Sequence, residues 1–231
     1  SGYGNTVVGN QNLYNNTTAY NNTAIGSYNL YNNTEGYYNT ALGTYGLYSN
    51  TTGDYNVALG YYALRAQTTP NNNVGIGYYA GYSNVDGTNN VHVGYRAGYG
   101  YSSQSNDGNT SIGAEALEVI RTGDNNTAVG YQALKDLNAG ATGENTAVGY
   151  QAGANVTTGL YNSILGTNIE KKQKNIQCLK YVTATENNKE NKNGFESAYQ
   201  LLGTISDVLI IVYQRVKVNT AITKTVGTKI E

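Results

Sequence analysis

The chain has 231 residues, a net charge of −1, one cysteine (Cys178), one histidine (His92) and no methionine or tryptophan. A charge so balanced gives no sign of a nucleic-acid partner, and a single cysteine excludes an intrachain disulfide. No run approaches the roughly 18 apolar residues of a membrane helix, so no membrane insertion is expected of this segment.

The opening Ser1–Gly4 has no signal-peptide character. It fits the end of an earlier copy of a repeat, and with no initiator methionine the expectation is a fragment or a processed piece. From Asn5 onward one phrase recurs: Asn, a small residue, a variable residue, a branched aliphatic, Gly. It begins at Asn5, Asn22, Asn39, Asn56, Asn73 and Asn90 at a step of 17, and then at Asn109, Asn126, Asn145 and Asn162 with two steps lengthened to 19. Ten copies at nearly constant spacing are the signature of a repeat architecture.

Within each copy, counting the Asn as position 1, position 2 is Thr, Val or Ser and position 4 is always Val, Ile or Leu. These residues favour strands and disfavour helices. Alternation puts positions 2 and 4 on one face and position 3 on the other. The expectation is that the position 4 aliphatics, Val129 among them, lie in the core with the Leu at position 9. Position 3, where His92 sits, then points outward or into an interface. Gly at position 5 marks positive φ or close backbone approach, and positions 10–17 carry loop chemistry. The prediction is all-β: a parallel β-solenoid, or β-roll, of about ten 17-residue coils over residues 1–166, each a short strand, a turn, a second short strand and a loop, with Asn and aliphatic ladders running from coil to coil. Two large apolar residues per coil make a thin core. The small residues at position 3 and at position 8 (Ala63, Ala80, Ala97, Ala116, Ala133, Ala152) are expected to admit a second chain, and a homotrimer is the natural closed assembly for a rod.

Residues 167–231 differ. They hold 10 of the 14 basic residues and only 3 of the 24 Tyr. Runs such as Glu170–Asn175 read as exposed polar chain, and Ser206–Val218 as a strand or short buried segment. The tail is expected to be irregular, serving as cap or trimerisation element, or else to be an artefactual ending.

The chemistry-bearing residues are sparse. His92 has no Cys or second His to share a metal. Residues 75–80 match a dinucleotide fingerprint, yet the repeat accounts for both its Gly and its Ala. Glu115, Glu118, Asp124, Asp136 and Glu144 cluster in copies seven and eight, where a glycosidase pair is conceivable, but their columns differ and Arg121 and Lys135 lie beside them. Asp54, Asp86, Asp107 and Asp124 fall near loop ends outside any calcium nonapeptide, and a solubilising role is expected. No catalytic residue, metal or cofactor is assigned. The tyrosines say more. Tyr14, Tyr31, Tyr48, Tyr82 and Tyr99 share position 10. Tyr61, Tyr78, Tyr95, Tyr131 and Tyr150 share position 6, and Tyr62 and Tyr79 share position 7. In register they make aromatic stripes suited to recognising glycans or proteins.

The phrases NTAIG, NTALG, NTAVGYQAL and NTAVGYQAG resemble the repeats of phage and prophage tail fibres. They are also similar to the NSVAIG-type repeats in the heads of trimeric autotransporter adhesins, whose coil is shorter than 17 residues. The likeness covers residues 1–166. It implies a trimeric parallel β-roll outside the cell, presenting a binding surface to a host cell. Many such fibres end in a self-cleaving chaperone with a Ser–Lys dyad, which nothing in 167–231 matches. The functional expectation is a structural and adhesive fibre on a virion tail or cell surface, displaying its Tyr/Asn-rich face to a host-cell glycan or protein. The alternatives are an adhesin head, a tailspike-type polysaccharide depolymerase, and an ice-binding solenoid with a Thr face.

Overall fold

The computed structural model describes residues 2–100, 105–137 and 143–169. The expectations for the tail beyond Ile169 therefore lie outside the described residues. Ten strands follow in chain order: β1 Thr6–Asn10, β2 Thr23–Ser27, β3 Thr40–Thr44, β4 Val57–Tyr61, β5 Val74–Ile76, β6 Val91–Val93, β7 Thr110–Ile112, β8 Thr127–Val129, β9 Thr146–Val148 and β10 Ser163–Leu165. They form one parallel sheet in sequence order. Each strand lies on the next one residue for one residue. Ile25 faces Leu42, Leu42 faces Leu59, and Val129 faces Val148. The fold is a parallel β-solenoid, and each 17-residue phrase is one coil. The two longer steps leave the pairing in phase: Val91 still faces Thr110 and Thr127 still faces Thr146.

The Asn at position 1 is the hinge of the design. Its side-chain oxygen accepts the backbone N–H of the same Asn one coil on, as in Asn39 N–H to Asn22 Oδ1 at 2.8 Å and Asn126 N–H to Asn109 Oδ1 at 2.9 Å. Its amide nitrogen donates to a carbonyl across the same coil, Asn22 to Gly36 at 2.8 Å and Asn109 to Gly123 at 2.8 Å. Both halves of a buried amide are thereby satisfied, which removes a penalty of about 1–3 kcal/mol per coil. A primary amide carries donors and an acceptor on one short planar group, and the ladder uses both ends in every coil, which accounts for the Asn in all ten copies.

Gly at position 5 has both predicted features. Gly43 has φ 132°, and a Cβ there would lie 2.5 Å from the carbonyl oxygen of Gly60. Three further positions per coil turn the chain through left-handed backbone, mostly with side chains attached: Tyr45, Leu47 and Tyr55 in coil three, Gln132, Leu134 and Glu144 in coil eight. Such residues cost about 1–2 kcal/mol each. They are held because the N–H groups between them bond to the next coil, Leu47 to Ala63 and Leu134 to Ala152.

The facing of the strands is the reverse of the expectation. Position 3 is the inner one: Ala24, Ala41, Ala58, His92, Ser111, Ala128 and Ala147 are all fully buried. Positions 2 and 4 face out, with Leu42 46% and Ile112 41% exposed. Val129 is half-buried on that outer face rather than inside. In six coils the space behind the strand is already filled by the buried position 9 leucine of the same coil, beside a buried Ala, Asn or Gly at position 8. Only a small side chain fits opposite them. The position 8 alanines, expected to admit another chain, are thus interior packing of their own coil.

The bulky His92 at position 3 is matched by Gly98 at position 9 of its coil, at which a Cβ would lie 2.1 Å from the imidazole Nδ1. Ile164 of coil ten fills the space beside Gly153 of coil nine. His92, expected outward, is therefore a core residue. Its Nδ1 lies 2.8 Å from Ser111 Oγ, and burial lowers its pKa to about 4, so the ring is neutral at physiological pH. Position 12 divides the core along its length. Asn33, Asn50 and Gln67 give way to Ile120, Leu137 and Val156, which join a continuous apolar cluster with Ala116, Leu117 and Leu134.

Candidate recognition surface

Because the coils stack in register, a residue type repeated at one position becomes a column on the outside. Tyr14, Tyr31 and Tyr48 stack with ring centroids 5.0 and 5.2 Å apart and nearly parallel planes. Tyr82 and Tyr99 continue the column at 5.3 Å. Between the two runs stands Arg65, its guanidinium carbon 5.3 Å from the Tyr48 centroid and 5.8 Å from that of Tyr82. A cation between two ring faces replaces the missing aromatic ring by attraction to its neighbours' π-electrons.

The position 6 column is Tyr61, Tyr78 and Tyr95 at 5.5 and 5.6 Å, with Tyr131 and Tyr150 at 5.3 Å further along. These five are 39–49% exposed. The position 7 column lies between these two. Tyr61 meets Tyr62 edge-on at 4.1 Å, and Tyr79 lies 4.9 Å from Tyr82. Positions 6, 7 and 10 thus form one aromatic face over coils two to six. A hydrogen bond to Tyr62 is the main reason the Tyr61 hydroxyl is pushed up to about 12. Burial raises the Tyr79 hydroxyl as well.

Sequence reasoning missed part of this surface. Tyr28 and Tyr45 belong to the position 7 column, stacked at 4.9 Å. On positions 16 and 17 a second cluster gathers Tyr3, Tyr20 and Tyr37, stacked at 5.0 and 4.9 Å, beside Tyr38 and Tyr55 at 5.3 Å. The period itself was the signal, since every member is 17 residues from the next.

The carboxylates have structural partners. Asp54 accepts the N–H of Tyr37 at 2.8 Å, Asp107 that of Thr88, and Asp124 that of Asp107 at 2.9 Å. Each accepts an N–H from the preceding coil, whereas the position 1 Asn accepts one from the following coil. Glu118 is buried, 3.0 Å from Arg96 and 3.3 Å from Lys135, rather than on a solvated face. Lys135 also binds Glu115 at 3.0 Å. The amide of Gln132 and then the Lys135 ammonium hold the Glu115 carboxyl below the usual carboxylate range. Among the described residues no group of three metal-ligating side chains converges, and no helix is long and apolar enough to cross a membrane.

These features define a β-solenoid repeat protein with an aromatic outer face. No protein-family model matches the chain, and no curated protein or solved structure matches it either.

Proposed function

We propose that this is a structural and adhesive fibre protein of the phage tail-fibre kind, working outside the cell and presenting its aromatic face to a glycan or protein of a host-cell surface. The observation that carries this reading is the exposed tyrosine column Tyr61, Tyr78, Tyr95 with its neighbours at positions 7 and 10. Buried, these rings would be core. Exposed and preorganised by stacking, they offer rigid contact area at low entropic cost. The interior supports a scaffold role, being filled by Ala, Leu and Asn that bond only within the solenoid. A trimeric adhesin head remains the nearest alternative and uses the surface in the same way.

Self-association is part of the proposal, and the occupant of the outer sheet face is a second copy of this chain. Positions 2 and 4 run along ten strands beside the tyrosine column, a strip on the order of 500 Å² at the usual strand spacings. That is more than half of the roughly 800 Å² per partner of a standard interface.

The test is retention of the labelled protein on a panel of bacterial cells. Wild type is expected to be retained by some strains. Changing Tyr61, Tyr78 and Tyr95 together to Ser should reduce retention on those strains at least tenfold. Undiminished retention by the triple variant would overturn the assignment to this face.

A further inference from the structure

The aromatic track does not run the length of the solenoid. At position 7 it passes from Tyr62 and Tyr79 to Arg96, Glu115, Gln132, Gln151 and Asn168. At position 10 it passes from Tyr82 and Tyr99 to Glu118, Lys135 and Ala154. Where the rings end, a cleft of about 270 Å³ opens beside coils eight and nine. Gln132, Gln151 and Asn168 line it from position 7, and Lys135, Asp136 and Asn155 from positions 10 and 11. All six side chains are polar.

We infer that this cleft is a binding site for a neutral saccharide unit of a surface glycan. The inference rests on the adhesive reading above and names its ligand class and place. Three observations carry it. First, the amides are oriented rather than free. Glu115 can only accept while ionised, so Gln132 must turn its Nε2 toward it, at 2.7 Å. Gln132 Oε1 then receives the Nε2 of Gln151, which leaves Gln151 Oε1 as the acceptor at the end of the relay. Second, donors and acceptors alternate over a short distance. Lys135 gives two protons to Glu115 and Glu118 and keeps a third, while Asp136 supplies a carboxylate. A hydroxyl both donates and accepts, so a polyol satisfies such a set, whereas a simple cation or anion satisfies half of it.

Third, the charge decides between neutral and acidic sugars. Arg96 and Lys135 are balanced by Glu115 and Glu118 in one ion-paired cluster, so Asp136 leaves the cleft net negative. An acidic sugar would meet an unbalanced carboxylate. Tyr131 and Tyr150, adjacent in sequence to Gln132 and Gln151, are 41% and 49% exposed and stacked at 5.3 Å. The volume lies just under the roughly 300–1,000 Å³ of ordinary small-molecule pockets. One ring fits, and the rest of a chain lies along neighbouring coils.

Affinity electrophoresis of the full chain tests this, in gels carrying a mannan, a galactan or a dextran, and in parallel gels carrying hyaluronate or alginate. At least one neutral polymer should retard the wild type. Gln151→Leu, which removes the terminal acceptor, and Asp136→Ala, which touches no core residue, should each weaken that retardation at least tenfold. Glu35→Gln, exposed in coil two, should leave it unchanged. Retardation that survives both cleft variants overturns the site. Retardation by the acidic polymers alone overturns the ligand class. If no gel retards a protein that still binds cells, the cleft proposal fails and the adhesive reading stands. If neither gels nor cells retain it, both fall.

Discussion

At the scale of single residues, the solenoid is governed by groups that satisfy themselves in ladders, and His92, like Gln67, departs from that rule. Its ring fills the volume that Gly81 and Gly98 vacate, its Nδ1 meets Ser111, and its buried Nε2 has no partner. A proton on that ring would be a buried, unpaired charge, so the folded protein holds it off until pH is near 4. The unfolded chain takes the proton at about 6.5. Below that pH the unfolded state binds more protons, and stability falls as pH drops from 6.5 toward 4, by up to about 3 kcal/mol. Urea unfolding at pH 7.5 and pH 4.5 should show this loss in wild type and a smaller one in His92→Leu, which fills the space without titrating. Equal pH dependence in the two proteins would show that the ring is not the group responsible. The sequence shows a lone His at position 3 but not its surroundings. A partial clue was the pair Gly81 and Gly98 on either side of it, since the volume a coil leaves empty is filled by a neighbouring large residue.

At the scale of the element, the strand at each Asn phrase was legible in place, direction and register; the second short strand expected in each coil is not among the strands of the described residues, and the facing was not legible. The period fixes what stacks on what, because in-register hydrogen bonding admits no other alignment once ten copies agree. Which face is inner depends on what else occupies the interior. The rule that aliphatics go inside is weak in one direction, since much of any protein surface is apolar. In this coil the Leu at position 9 and the Ala at position 8 already fill the space, so the Val, Ile or Leu at position 4 is turned out and the Ala at position 3 is turned in. The consequence is a reversed mutational pattern. Ala128→Asp puts an unpaired carboxylate between Ser111 and Ala147 and should destabilise by more than about 4 kcal/mol. Val129→Asp, one residue on, should change the stability of the single chain by less than about 1 kcal/mol. Thermal melts of the two variants decide it, and a larger loss for Val129→Asp would reverse the facing.

At the scale of the whole molecule, stability accumulates coil by coil through nearest-neighbour ladders, and the outer sheet face sets how copies meet. That face is an unbroken strip of Thr, Val or Ser at position 2 and Val, Ile or Leu at position 4. Light scattering should return three times the chain mass for wild type and a lower mass for Val129→Asp. A single-chain mass for wild type would sink the trimer and leave the Thr-bearing face open to water. Thermal hysteresis in dilute solution would then test the ice-binding alternative. The sequence by itself determined the solenoid, its coil length, its ladders and its aromatic columns, because those follow from periodicity and from backbone hydrogen bonding that is indifferent to side-chain volume. Only the tertiary structure decided which face is inside, where His92 and Glu118 sit, and that Gln132, Gln151, Lys135 and Asp136 share one cleft. Those outcomes depend on how volumes and charges from different positions of the coil compete for the same space, and a repeat read one position at a time does not show that competition.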